Sequence, residues 1–134
     1  MKFNEVLDKR YSVRNYLDRE VEGEKIQAIL KSSCMAPTAR NSQCQKIYVV
    51  KSKEMLCKLF GGKPLFSTPL AFVVCGDKNS ECKTSYSKRS LMETDLSIIT
   101  TYMMLTATSL SLGSCWVCRF DEKEVSKILN LPEN

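Results

Sequence analysis

Between Ile98 and Cys118 the chain carries no charged side chain, and the stretch from Leu91 to Leu112 places Leu96, Ile99, Met103, Leu105, Ala107 and Leu110 at helical spacing. A membrane span, which needs about 20 predominantly apolar residues, is the first alternative to weigh. Hydroxyl residues at 97, 100, 101, 106, 108, 109 and 111 dilute the run, and Glu93 and Asp95 stand at its start, which argues against a span. A helix covered by a core on one side and by a second subunit on the other accounts for the pattern better. That requirement constrains a chain of 134 residues more than any other feature it has.

The remaining elements are shorter. A helix is expected over Asn4–Lys9 with Val6 and Leu7 inward, followed by a mixed polar stretch to Asp18. Glu22 to Met35 reads as an amphipathic helix, because Ile26, Ile29, Leu30 and Cys34 recur at its period; it stops before Pro37, whose ring disfavours helical geometry in the preceding residue. Lys46 to Lys51 is a β-branched and aromatic strand candidate, and Lys53 to Phe60 a helix closed by Gly61-Gly62. Pro69 to Cys75 reads as a strand apolar on both faces, suited to a helix-covered sheet. The charged stretch from Asp77 to Lys88 is expected to be a mobile excursion. Gly113 is expected to end the long helix, Ser114 to Cys118 to form a third strand, and Asp121 to Leu129 a last helix. Alternating strands and helices in this length predict one α/β or α+β domain over 1–134.

Histidine is absent, which excludes an imidazole base, a Ser/His or Cys/His nucleophile pair and a His-ligated metal. Chemistry by carboxylates, thiols, lysines or a bound organic cofactor is left. The seven cysteines form an odd set, and the amino end lacks the apolar stretch of a signal peptide, so a cytoplasmic protein with reduced thiols is expected. The net charge of +5 is scattered along the chain, which predicts a general attraction to anions and no nucleic-acid stripe.

Three constellations could carry chemistry. Arg10-Tyr11-Ser12-Val13-Arg14 offers two guanidinium groups and a hydroxyl, a donor set for a phosphate dianion; taken alone, it also reads as a solvated basic turn. Pro37-Thr38-Ala39-Arg40-Asn41-Ser42-Gln43 crowds amides and hydroxyls into a loop, as the edge of a flavin or pyrimidine ring requires, and a plain polar connection is the bland alternative. Cys115-Trp116-Val117-Cys118 has redox-dithiol spacing, but a thioredoxin-type pair belongs at a helix start, where the dipole lowers the thiolate pKa, and this one follows a helix. A zinc site is weaker still, since Cys75 and Cys82 would have to be recruited over a long span.

Taken in order, these pieces resemble the nitroreductase family: Arg-x-Ser-x-Arg at Arg10, Ser12 and Arg14; Ala-Pro-Ser/Thr-x-x-Asn-x-Gln at Ala36, Pro37, Thr38, Asn41 and Gln43; and a long helix ending in Leu110-Ser111-Leu112-Gly113-Ser114-Cys115-Trp116-Val117. The resemblance implies an α+β fold with a central, mostly antiparallel sheet flanked by helices. It implies a homodimer built on the long helix with flavin mononucleotide (FMN) at the interface. By matching positions, Arg10, Tyr11, Ser12 and Arg14 would hold the phosphate and ribityl chain. Pro37, Thr38, Ala39, Asn41 and Gln43 of the partner copy would approach the ring, with Trp116, Val117 and Cys118 near its other face or edge. The implied activity is hydride transfer from NAD(P)H through flavin N5 to a small-molecule electron acceptor such as a nitroaromatic or quinone, with no side chain acting as a catalytic acid or base. A flavin-binding protein without efficient turnover and a thiol-disulfide oxidoreductase using Cys115 and Cys118 are the alternatives.

Three departures stand out. Family members often carry Gln-Pro-Trp where this chain has Gln43-Cys44-Gln45, and Gly-Gly where it has Cys118-Arg119. They usually continue well past the last helix and often send a basic residue from that extension to the phosphate. This chain reads as a short or C-terminally truncated member, with flavin affinity the property most exposed to the difference.

Overall fold

The structure, a computed structural model, describes all residues 1–134. Its elements run α1 (Phe3–Lys9), α2 (Gly23–Met35), β1 (Gln45–Val50), α3 (Lys53–Leu59), β2 (Ala71–Gly76), α4 (Met92–Ser109) and α5 (Glu122–Ile128), with 3-10 turns at Ala39–Asn41 and Leu65–Ser67. Local chemistry starts several of them. Ser52 Oγ accepts the Met55 N–H at the head of α3, and the Asp121 carboxylate accepts the Lys123 and Glu124 N–H groups at 2.9 and 3.1 Å at the head of α5.

The predicted long helix is α4, and it is the spine of the molecule. Its inward positions Ile99, Met103 and Ala107 join Ile29 and Ala36 of the α2 region in one buried cluster, against which Ile47, Phe72 and Val74 of the sheet pack. Ile99 is fully buried, so truncating it to Ala would cost about 2–5 kcal/mol. On the outward side Thr101, Tyr102 and Ser109 are exposed, with Ile98 and Leu105 half-buried. Five hydroxyls of α4 donate back into the helix: Ser97 to Glu93 O, Thr100 to Leu96 O, Thr101 to Ser97 O, Thr108 to Met104 O and Ser109 to Thr106 O, at 2.7 to 3.1 Å. No helix is long and apolar enough to cross a membrane.

The sheet is antiparallel and two-stranded, with β1 and β2 in register from Gln45↔Gly76 to Val50↔Ala71. The expected third strand at 114–118 is not formed. Only Ser114 pairs, in a parallel bridge to Ser12 backed by Val13 N–H donating to Ser114 O at 3.0 Å. An apolar, extended sequence becomes a strand only where a neighbour runs beside it along its length, and here the neighbour touches it at one residue.

Three further expectations are corrected. Leu7 is 47% exposed: a seven-residue helix buries one stripe, Val6 occupies it, and Phe3 and Leu7 share the outer side. In α2 the inward face takes Ser32 and Ser33 while Cys34 is exposed; both serine hydroxyls are satisfied by carbonyls, Ile29 O at 2.7 Å and Leu30 O at 2.6 Å. The left-handed residue that ends α4 is Ser111 (φ +61°), with Leu112 N–H donating to Ala107 O, rather than Gly113. The stretch from Asp77 to Lys88 is folded back by turns: Leu91 N–H reaches Cys82 O at 2.9 Å, Lys83 bridges Ser90, and Asp77 accepts from the Asn79 N–H and the Asn134 amide.

Candidate functional site

The Arg10–Arg14 segment lies beside the chain that leaves α4. Gly113 makes this possible, because a Cβ there would stand 2.6 Å from Val13 Cγ2, inside any real contact. Arg10 and Ser12 are half-buried, and Tyr11 and Arg14 are exposed. Arg14 Nη1 reaches the Ser12 carbonyl at 3.4 Å, and neither Arg10 nor Arg14 enters an ion pair, although six ion pairs form elsewhere. Ser114 Oγ, across the bridge from Ser12, is buried without a hydrogen-bond partner. Two uncompensated guanidinium groups next to unfilled hydroxyl capacity form a cationic donor set with no anion of the chain to satisfy it.

Trp116 and Cys118 are exposed and Val117 is half-buried. They line a cleft of about 840 Å³ whose other walls include Phe72 and Val74 of β2 and Leu96 and Met103 of α4, so its lining is largely apolar. Tyr16 also lines it. Burial pushes the Tyr16 phenol up to about 12, with the Cys115 thiol adding and the Arg14 guanidinium opposing. Cys115 is half-buried, Cys118 is exposed, and neither lies in a helical turn, so the dipole argument for a reactive dithiol fails here.

The amide-rich loop is at the opposite end of α4. Pro37, Asn41 and Gln43 are exposed, while Thr38 and Ala39 are half-buried. Thr38 Oγ1 accepts the Gln43 N–H at 3.1 Å, and Gln43 Nε2 donates to Asn41 Oδ1 at 3.0 Å. The Asn41 amide NH2 and Gln43 Oε1 take no partner within the chain, so these two exposed side chains keep donor and acceptor capacity. The backbone that presents them is strained: Arg40, Asn41 and Gln43 have φ of +52°, +54° and +47°, a region that costs non-glycine residues about 1 kcal/mol or more each.

Sequence reasoning overlooked the group that holds this loop. Asp95, in the first turn of α4 and 2% exposed, accepts the Ala39 N–H at 2.9 Å and the Ser42 hydroxyl at 3.4 Å. Its signal was one of two acids, with Glu93, in the first turn of a helix uncharged from there on, which reads as a helix-dipole partner in water until the fold buries it. Beside it, burial pushes the Cys44 thiol up and the Asp95 carboxylate adds to the effect, which keeps that sulfur protonated.

The structure therefore brings Arg10–Arg14 together with Ser114–Val117 but does not bring Pro37–Gln43 to them. Asp95 and Leu110 are separated by roughly 22 Å along the axis of α4, at about 1.5 Å per residue.

The nitroreductase family model matches residues 7–61 and 58–134, nearly the whole chain. A nitroreductase family protein of Clostridium difficile 630 superposes with a TM-score of 0.94 at 42% identity, covering 100% of this chain and 78% of that one. An FMN-dependent nitroreductase of Clostridium difficile R20291 superposes at 0.80 with 34% identity, covering 96% of this chain and 78% of the other. A curated Archaeoglobus fulgidus protein, provisionally named NADH dehydrogenase/NAD(P)H nitroreductase, is 35% identical over 133 residues, which cover 93% of this chain and 74% of that protein.

Proposed function

Because this chain belongs to the nitroreductase family, we propose that it is an FMN-dependent NAD(P)H oxidoreductase that works as a homodimer and passes electrons to a small acceptor such as a nitroaromatic or quinone. One observation carries the reading: the cationic segment and the amide loop sit at opposite ends of α4, each with spare bonding capacity. A single copy cannot close both on one ligand. A two-fold axis across α4 sets the end of one copy's helix beside the start of the other's, and the exposed Tyr102 with half-buried Ile98 and Leu105 gives that axis an apolar seat.

The donor set suits the cofactor. Arg10 and Arg14 supply charge and forked donors for a phosphate dianion, and Ser12 and the unpartnered Ser114 hydroxyl supply neutral donors nearby. From the other copy, Asn41 and Gln43 offer donors and an acceptor for the polar edge of a ring, with Pro37, Thr38 and Ala39 approaching it beside them and the Thr38 hydroxyl holding the Gln43 backbone. The apolar wall formed by Trp116 and Val117 keeps water away from one side of that space. When bound, FMN supplies a centre that takes up and gives back two electrons with a proton. The chain's own work is to bind, orient and desolvate, which needs no histidine.

Purified protein reconstituted with FMN and mixed anaerobically with NADH or NADPH tests the reading. Loss of the flavin absorbance near 450 nm within seconds, and its return when a quinone is added, is the expected result. Colourless, monomeric protein that takes up no FMN overturns it, and FMN-loaded protein that neither nicotinamide reduces leaves only a flavin-binding function.

A further inference from the structure

We infer that Asp95 is the positioning residue of the flavin site, the group that fixes how the amide loop presents Asn41 and Gln43. This rests on the proposed function, since it takes that loop to meet the ring. Asp95 is 2% exposed, and none of the molecule's ion pairs includes it, so a carboxylate has been placed in the interior without a cation to offset it. Its hydrogen-bond partners are both in the loop and more than fifty residues away in sequence: the Ala39 N–H at 2.9 Å and the Ser42 hydroxyl at 3.4 Å. Those anchors bracket Arg40 and Asn41, whose left-handed backbone persists only where surroundings hold it, and Gln43 follows in the same region. Gln43 is in turn tied to Thr38 and Asn41. Thr38 and Asn41 thus orient Gln43 within the loop, and one buried carboxylate at the head of α4 ties that loop to the helix at Ala39 and Ser42. α4 also packs the core, so the loop is referenced to the helix around which the buried cluster is built.

The test uses the full chain with Asp95→Ala, Asp95→Asn and Ser42→Ala, and measures FMN affinity by quenching of flavin fluorescence, the visible circular dichroism of the bound flavin, and the melting temperature of the apoprotein. Asp95→Ala is expected to weaken FMN binding about tenfold or more and to change the dichroism band. Asp95→Asn can still accept from Ala39 and can donate to Ser42 Oγ, so it is expected to rescue affinity to within about threefold of wild type. Ser42→Ala removes one anchor with little change in apoprotein melting and is expected to weaken binding about two- to fivefold. It keeps the question open to refutation should Asp95→Ala fail to fold. Variants that melt lower yet bind FMN with wild-type affinity and dichroism would overturn the inference, leaving Asp95 a purely structural acid. Wild-type protein that binds no FMN would instead overturn the functional reading, and this inference with it.

Discussion

The two halves of the candidate site are built on opposite plans. The amide loop is held from within, by Thr38, by the Asn41–Gln43 contact and by Asp95. The cationic segment is held mainly by the Ser12–Ser114 backbone bridge and by the Val13 side chain lying against Gly113, with no carboxylate engaging its arginines. Amides can be tied down and still keep a donor and an acceptor to spare. A guanidinium tied to a carboxylate would have little left for a phosphate, so Arg10 and Arg14 stay unpaired and lose little by waiting in water. Affinity should accordingly concentrate at the arginines and precision at the loop.

The largest effect that would break this comparison is at the cationic end. Arg14→Ala should weaken FMN binding by about one to two decades, about 1.5–3 kcal/mol for a charged contact to a partly buried phosphate, as read by fluorescence titration. Unchanged affinity would mean that the phosphate is held elsewhere and that the two halves do not divide the work in this way. A middling effect is expected from Gly113→Ala. The new methyl group collides with Val13, and overpacking of this kind costs about 1–3 kcal/mol. The melting temperature should fall and FMN affinity with it, and adding Val13→Ala should restore both; failure of that second change to rescue would show that the segment is not held by this contact.

The smallest effect concerns Tyr16, which lies between the cationic segment and the cleft. Its folded pKa of about 12 is raised above the ordinary 10, so the stability that its neutral form contributes is complete below pH 10 and is lost as pH rises from there through about 12. Because the ring is only half-buried, the loss should be modest. Melting curves of wild type and Tyr16→Phe should converge toward parallel behaviour below pH 10 and diverge above it, the wild type falling faster; equal slopes throughout would show that the phenol is solvated.

Much of the fold was legible because its signals are local. The spacing of Leu96, Ile99 and Met103 marks α4, and Pro37 and Gly61-Gly62 mark where α2 and α3 give out. What could not be read depended on partners far along the chain. Ser114–Cys118 has strand composition but only Ser12 beside it, and a seven-residue helix with apolar residues on two sides does not announce which of Val6 and Leu7 turns inward. The candidate site divides in the same way. The loop's amides and the paired arginines are visible as residue types, whereas the acid that anchors the loop is 53 and 56 positions from its two partners and becomes visible only once the chain is folded.

The serines and threonines of α4 alter what that helix can touch. Five of the seven commit their protons to the turn below, so they offer whatever lies alongside an acceptor oxygen, and the threonines a methyl group, but no free donor. Laid against another protein face, such a surface carries a smaller dehydration penalty than free hydroxyls would, since those five donors have no water to lose. A second copy seated on this face, as proposed, would meet fewer water-bound donors than the count of hydroxyls along the helix suggests.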